Sequence, residues 1–303
     1  MQFTRDFCRE LSLGAGEEMF GTASRVDLWL LIESPGSWVK DALDQSPVPK
    51  NVKNRLSVLQ GSIPNTRVQL IKHSEESTDK LRFFVAGSRE LSPIVFEFKL
   101  DTYGDILDID VPGILSSPVD YAEFRREGPL YLVCTHGRYD SCCAGWGTTV
   151  FREMSAIAGD CVWQSTHVGG HRFAANVVCL PHGIYYGRIS QSDAGRVVDA
   201  YASGEIVLDK LRGRACYPKE AQAAEYFLRS NTGVTAVEEF RLEGVDALSE
   251  SRFRAVFASR SGGHRYLVVV DKDTSTVETI TSCGDPEPSQ PPQYRLVECR
   301  SEG

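Results

Sequence analysis

Between residues 134 and 182 the chain places four of its six histidines, His136, His167, His171 and His182, and five of its nine cysteines. Most of them stand where a short apolar run gives way to a glycine-containing loop. The runs 130–134 and 161–165 read as buried strands. Between them, residues 144–158 set Trp146, Val150, Met154 and Ile157 at spacings of four, four and three, one face of a helix. Such a layer presents its working side chains in the loops at the carboxyl ends of its strands, where rigid elements aim residues that packing does not consume. The loop Cys134-Thr-His-Gly-Arg-Tyr-Asp-Ser-Cys142-Cys143 and the loop His167-Val-Gly-Gly-His171-Arg-Phe-Ala-Ala-Asn176 are therefore expected to converge.

The neighbouring patterns extend this unit. Runs 177–180 and 184–189 read as a hairpin turning at Pro181-His182-Gly183, after which Asp193 caps a helix towards Tyr201 and Gly204 ends it. A similar order occurs upstream, with a strand at 25–32, a helix over 50–60 and strands at 67–71, 81–85 and 94–98. A connector over 101–127, rich in Gly, Pro and Asp, joins the two. The expected organisation is an α/β unit over 1–125, a second over 126–212 related to it by degenerate tandem duplication, and a small α+β segment over 213–303. In that last segment Pro218 opens a helix over 219–229, strands follow at 240–242, 253–257, 266–270 and 277–280, and 286–292 is loop.

Charge and composition narrow the function. Lys plus Arg number 33 against 41 Asp plus Glu, a net charge of −8, and no basic block is present to neutralise phosphates, so nucleic acid is not an expected partner. The longest apolar runs, such as 26–32 and 131–134, are far too short to span a bilayer, and the N-terminus has no basic-then-apolar pattern. No membrane insertion and a cytoplasmic location are expected. Nine cysteines, an odd number at low density, argue against a disulfide framework and for reduced thiols, some on metal. Thiolates and imidazoles suit zinc or an iron–sulfur cluster and suit magnesium or calcium poorly. Gly169 and Gly170 would let the backbone pass close to a bulky inorganic core. Arg138 and Arg172 are candidates to donate hydrogen bonds there or to steer an acidic partner, and Asn176 to pin the histidine loop by bonding to backbone. Cys8, Cys161, Cys179, Cys216, Cys283 and Cys299 read as structural, with nothing to pair Cys283 with a second metal site.

The segments Cys134-Thr-His-Gly-x-x-Asp-x-x-Cys143, His167-Val-Gly-Gly-His171-Arg-Phe-Ala-Ala-Asn176 and Pro181-x-Gly-x-Tyr-Tyr-Gly-Arg188 resemble the sucrase/ferredoxin-like family, as do the earlier Gly21-Thr22-Ala23 and Trp29-Leu-Leu-Ile-Glu33. That family includes thioredoxin-like ferredoxins with bis-histidinyl, non-Rieske [2Fe-2S] clusters. The resemblance covers most of residues 8–190. It implies a thioredoxin-like ferredoxin layer, a [2Fe-2S] cluster on Cys134, Cys143, His167 and His171, and an electron carrier, more than an enzyme, working with a redox partner protein. His136, Arg138, Asp140, Cys142, Gly169, Gly170, Arg172 and Asn176 would surround the ligands, Cys142 being an alternative thiolate one residue from Cys143. Two thiolates and two neutral imidazoles would leave the oxidised cluster near zero charge, where four thiolates leave it at minus two. In Rieske centres the same exchange raises potentials from about −400 mV to roughly −150 to +300 mV. The ring N–H groups would couple reduction to proton uptake.

Four rival readings use overlapping residues. A structural zinc site could take the same four ligands, although zinc cysteines are commonly separated by two to four residues and these by eight. Rieske-type ligation would draw on Cys134-x-His136 and Cys179-x-x-His182. Thiol redox chemistry would use Cys142-Cys143, which lacks the Cys-x-x-Cys spacing. Glycoside hydrolysis needs two positioned carboxylates, and only Asp140 lies within a motif, so that reading is rejected.

Overall fold

The structure, a computed structural model, describes residues 7–73, 79–274, 276–284 and 287–302. Helix α1 (Cys8–Gly14) precedes the first half of a mixed sheet, which runs β1 (Leu28–Glu33), α2 (Lys50–Ser62), β2 (Thr66–Lys72), β3 (Leu81–Gly87) and β4 (Ile94–Leu100). The connector holds a short α3 (Val111–Ser116) among 3-10 turns. The second half repeats the series with β5 (Leu130–Cys134), α4 (Ser141–Ala158), β6 (Val162–Ser165), β7 (Val177–Leu180), β8 (Ile184–Tyr186) and α5 (Ala194–Ala202), and β9 (Leu211–Arg214) completes the sheet.

The nine strands lie in the order β4-β3-β1-β2-β6-β5-β7-β8-β9. Read outward from the middle, each half has the same arrangement: a parallel pair joined by a helix, then two antiparallel strands on the far side of the pair's first member. The fold is thus mixed α/β, its second half the thioredoxin-like layer. Only two residue pairs, Ile71 with Ser165 and Lys72 with Gln164, join β2 to β6. About that short junction the sheet folds over, and Trp29 of β1 comes to 6.1 Å, ring to ring, from Tyr185 of β8.

That folding explains the apolar runs. Leu28, Leu30 and Ile32 pack beneath α2, while Trp29 and Leu31 enter a second core shared with Leu130, Leu132 and Cys134 of β5. The intervening Tyr131 and Val133 face α4 and α5. Strands buried on both faces lose polar alternation and read as continuous hydrophobic stretches.

The last segment is α6 (Lys219–Thr232) packed on an antiparallel meander of β10 (Phe240–Ala247), β11 (Arg252–Ser259), β12 (Arg265–Asp273) and β13 (Gln293–Glu302). Here three expectations need correction. The stretch 277–280 is not a strand, since Thr279 makes only an isolated bridge to Ser289, and the fourth strand is β13. Helix α5 starts at Ala194 with Asp193 as its N-cap, but the Asp193 side chain makes no bond to the helix backbone and instead accepts the Ser190 N–H at 2.9 Å across the preceding 3-10 turn. Helix α4 begins at Ser141, so Cys142 and Cys143 lie in its first turn and not in the preceding loop. Among the described residues no helix is long and apolar enough to cross a membrane.

Candidate metal centre

Strands β5 and β6 are parallel with Cys134 beside Ser165, so the chain leaves both at the same edge, one exit leading into α4 and the other to His167. Asp140 caps α4, its Oδ1 accepting the Cys142 N–H at 2.9 Å. A helix N-terminus favours negative charge, and its first turn is a setting that promotes thiolates. One turn further on, Gly147 lies against the end of β5, where a Cβ would overlap the Cys134 carbonyl oxygen. The helix can approach that closely only without a side chain.

These contacts bring Cys134 Sγ, Cys143 Sγ and His167 Nδ1 within 4.8 Å of one another. His167 Nδ1 is 3.6 Å from Cys143 Sγ and 4.0 Å from Cys134 Sγ. The hydrogen bond from Cys143 pulls Cys134 well below the ordinary thiol range against the opposing effect of burial, and the same bond together with burial pushes Cys143 well above it.

His171 stands beside this group, its ring centroid 5.0 Å from that of His167. Its Nε2 faces Asp140 Oδ2 at 3.8 Å, while its Nδ1 is buried and has no hydrogen-bond partner among the described residues. Burial lowers the pKa of His171, with Asp140 opposing, and so favours the neutral ring that metals bind. The structure thus groups three of the four expected donors, and His171 lies outside that 4.8 Å group with a buried ring nitrogen that lacks a partner; the chemistry of the four suits a two-cysteine, two-histidine centre.

His136 is committed elsewhere. Its Nε2–H donates to the Val39 carbonyl at 2.7 Å and its Nδ1 accepts the His167 backbone N–H at 3.3 Å. Burial lowers its pKa against the Val39 carbonyl's opposing pull, and it positions the His167 loop with neither ring nitrogen left over. Cys179 lies in the core on the opposite face of β5, and His182 pairs with Tyr201 and Glu238. The geometry therefore removes the Rieske-type pairing.

Among the remaining neighbours Asn176 holds the histidine loop by a bond to backbone, as expected, and the others depart from expectation. Gly169 and Gly170 have φ of +101° and +70°, but a Cβ there would strike Ser24 Oγ and the Arg212 guanidinium, so the close approach they permit is to the protein itself. Arg172 is held by Glu17 at 2.8 Å and lies over Phe173, while Arg138 is exposed. Asn176 donates to the Gly170 carbonyl at 2.9 Å and accepts from Arg212 at 2.8 Å. Burial alone would push the Asp140 carboxyl up, but the N–H groups of Cys283 and Cys142 and the nearby His171 hold it below the ordinary value. Cys142 turns away from Cys134 to meet Cys8 at 3.4 Å and Cys283 at 3.3 Å, which corrects the expectation that Cys283 has no such company.

Three supporting residues lie outside the motifs. Arg67 and Gln69 of β2 donate to the His167 carbonyl at 2.7 and 3.0 Å, so the N-terminal half helps shape the histidine loop. Buried Arg212 of β9 bonds the Gly169 and Thr22 carbonyls at 2.9 and 2.7 Å. Two arginines and a glutamine in strands carry no local signal of this role; only the fold over the β2–β6 junction creates it.

Comparison with known proteins agrees with the motif pattern. A curated relative, altered inheritance of mitochondria protein 32 of Meyerozyma guilliermondii, is 33% identical over 111 residues, which are 33% of this chain and 39% of the relative. The chain thus spans about two fifths of that relative's length. Among solved structures, the thioredoxin-like [2Fe-2S] ferredoxin of Aquifex aeolicus overlaps 31% of this chain and 97% of its own, at 18% identity and a TM-score of 0.27. A cysteine-to-serine variant of that ferredoxin overlaps 28% and 97%, at 20% identity and a TM-score of 0.25. The family model described as sucrase/ferredoxin-like matches residues 19–213, well over half the sequence and the whole of both cysteine- and histidine-bearing loops, and the chain belongs to the sucrase/ferredoxin-like family.

Proposed function

We propose that Cys134, Cys143, His167 and His171 hold a [2Fe-2S] cluster and that the protein is an electron carrier. The observation that carries this reading is the grouping of two buried thiols and His167 Nδ1 within 4.8 Å, beside a His171 Nδ1 that is buried without a partner. When bound, the cluster would supply one-electron transfer at a potential raised by its two neutral ligands. The chain's own residues set the orientation. Both cysteines are fully buried, whereas both histidines are half-buried, and Tyr139, 43% exposed, stacks on the His167 ring at 4.0 Å. The histidine side faces outward, the side from which a redox partner protein would exchange electrons. His171 Nε2, facing Asp140, is the ring position that would gain a proton as negative charge accumulates at the centre.

Freshly purified protein is expected to contain two irons and two labile sulfides per chain and to be coloured. A single zinc bound through Cys134 and Cys143, with no iron in anaerobic preparations, would replace the electron-carrier reading by a structural one. Replacing His167 or His171 by Cys adds a negative ligand and removes a titratable ring. In assembled variants the midpoint potential should fall and depend less steeply on pH, as potentiometric titration at several pH values would record. His136→Cys, which loosens the His167 loop but removes no proposed ligand, should lower occupancy while the assembled protein keeps its steep pH dependence, since neither nitrogen of His136 is directed at the sulfurs.

A further inference from the structure

A second set of metal donors lies against the first without belonging to it. Cys8 opens α1, Cys142 sits in the first turn of α4, and Cys283 lies in the loop before β13, so three distant stretches of chain converge on one point. Their sulfurs form a triangle with sides of 3.4 Å between Cys8 and Cys142, 3.3 Å between Cys142 and Cys283, and 3.5 Å between Cys283 and Cys8. Asp140 Oδ1 is 3.9 Å from Cys8 Sγ, and the four donor atoms lie within 4.8 Å of one another. Cys8 and Cys142 are fully buried, Asp140 nearly so and Cys283 partly.

Two kinds of chemistry bring three thiols this close, and the distances discriminate between them. A disulfide would draw one pair together to about 2.05 Å and strand the third thiol. A tetrahedral zinc with Zn–S of about 2.3 Å requires sulfurs about 3.8 Å apart and a carboxylate oxygen about 3.6 Å from each. The triangle needs only to open by a few tenths of an ångström, and the carboxylate oxygen, within 4.8 Å of every sulfur, to close by at most about 1.2 Å. The backbone also holds these donors in place. The Cys8 N–H points at Cys283 Sγ at 3.4 Å, and the Cys142 and Cys283 N–H groups each hold one Asp140 oxygen at 2.9 Å, fixing the carboxylate.

We propose that Cys8, Cys142, Cys283 and Asp140 form a mononuclear zinc site, separate from the Cys134/Cys143/His167/His171 centre and independent of what that centre holds. Binding displaces the thiol protons to solvent and makes four bonds to one Zn²⁺, with no change of oxidation state. The site ties the N-terminal helix and the C-terminal loop to the first turn of α4. Asp140 Oδ2 also faces His171 Nε2 at 3.8 Å, so the metal would steady the histidine side of the neighbouring centre.

The test is metal and sulfide analysis of the full-length protein made with zinc and iron supplied. One zinc per chain is expected in addition to whatever the first centre carries. Cys8→Ser and Cys283→Ser should each lower this zinc tenfold or more while the iron and sulfide content stays at the wild-type level, which also reports that the fold is intact. Should both variants fail to fold, Co²⁺ added to zinc-stripped wild-type protein decides, through the visible bands of a tetrahedral thiolate complex. The proposal is overturned by a wild-type chain without that zinc or without those bands, or by zinc retained in both variants. A non-reduced mass two hydrogens light at these cysteines, or extra iron lost with Cys283→Ser, would overturn it in favour of a disulfide or an iron site. If the first centre also holds zinc, the total is two, and only one is lost with Cys283→Ser.

Discussion

Cys143→Ser is expected to reduce iron and sulfide to background, while Cys142→Ser keeps both near wild type. The two cysteines are adjacent in sequence, but successive helical residues point about 100° apart around the axis. In the first turn of α4 that rotation sends Cys143 Sγ to within 3.6 Å of His167 Nδ1 and Cys142 Sγ to within 3.4 Å of Cys8. Serine keeps the volume of the site but replaces a soft thiolate with a hydroxyl that seldom ionises at neutral pH. Loss at Cys143 should therefore be close to complete. Zinc should show the reverse pattern, falling in Cys142→Ser and persisting in Cys143→Ser. Metal and sulfide analysis of the two variants side by side tests the division; iron that survives Cys143→Ser and disappears in Cys142→Ser would transfer the ligand role to Cys142.

The same helical rotation shows where sequence reading stops. Strands β5 and β7 are legible because burial on both faces leaves nothing polar in them, and α4 is legible because Val150 and Met154 mark one buried stripe. Strand β13 is not, for it buries Gln293 and Tyr294 and leaves most of the rest exposed, held by its ladder to β12. Strand β9 hides behind two arginines that are almost wholly buried. At the centre, the spacing of the motifs brings Cys134, Cys143 and His167 to one loop edge but does not say which way each one points. Cys142 and Cys143 part company only once α4 is known to start at Ser141. Cys8 and Cys283 are 275 residues apart, and their meeting at Cys142 depends on the packing of α1 against the 171–173 turn and on the path of the C-terminal loop. No periodicity within a strand or helix encodes such a convergence.

Two glycines of α4 should respond oppositely to the same substitution. Gly145 is exposed, with open space where a Cβ would stand, and Gly147 is buried with the Cys134 carbonyl oxygen in that place. Alanine at either position gains roughly 0.8–1 kcal/mol of helix propensity. At 145 nothing opposes the gain, and the thermal midpoint should rise. At 147 the new methyl group meets backbone at the end of a central strand, which cannot swing aside as a side chain would, so α4 must retreat from β5. Overpacking of this kind costs about 1–3 kcal/mol, sometimes more, and the midpoint should fall despite the propensity gain. The retreat also carries Cys143 away from Cys134, so Gly147→Ala should lower iron occupancy while Gly145→Ala leaves it unchanged. Because both variants share the propensity term, the difference between them isolates the close approach of helix and strand. Equal midpoints and equal iron contents would mean that the contact between α4 and the end of β5 does not hold the two cysteines together.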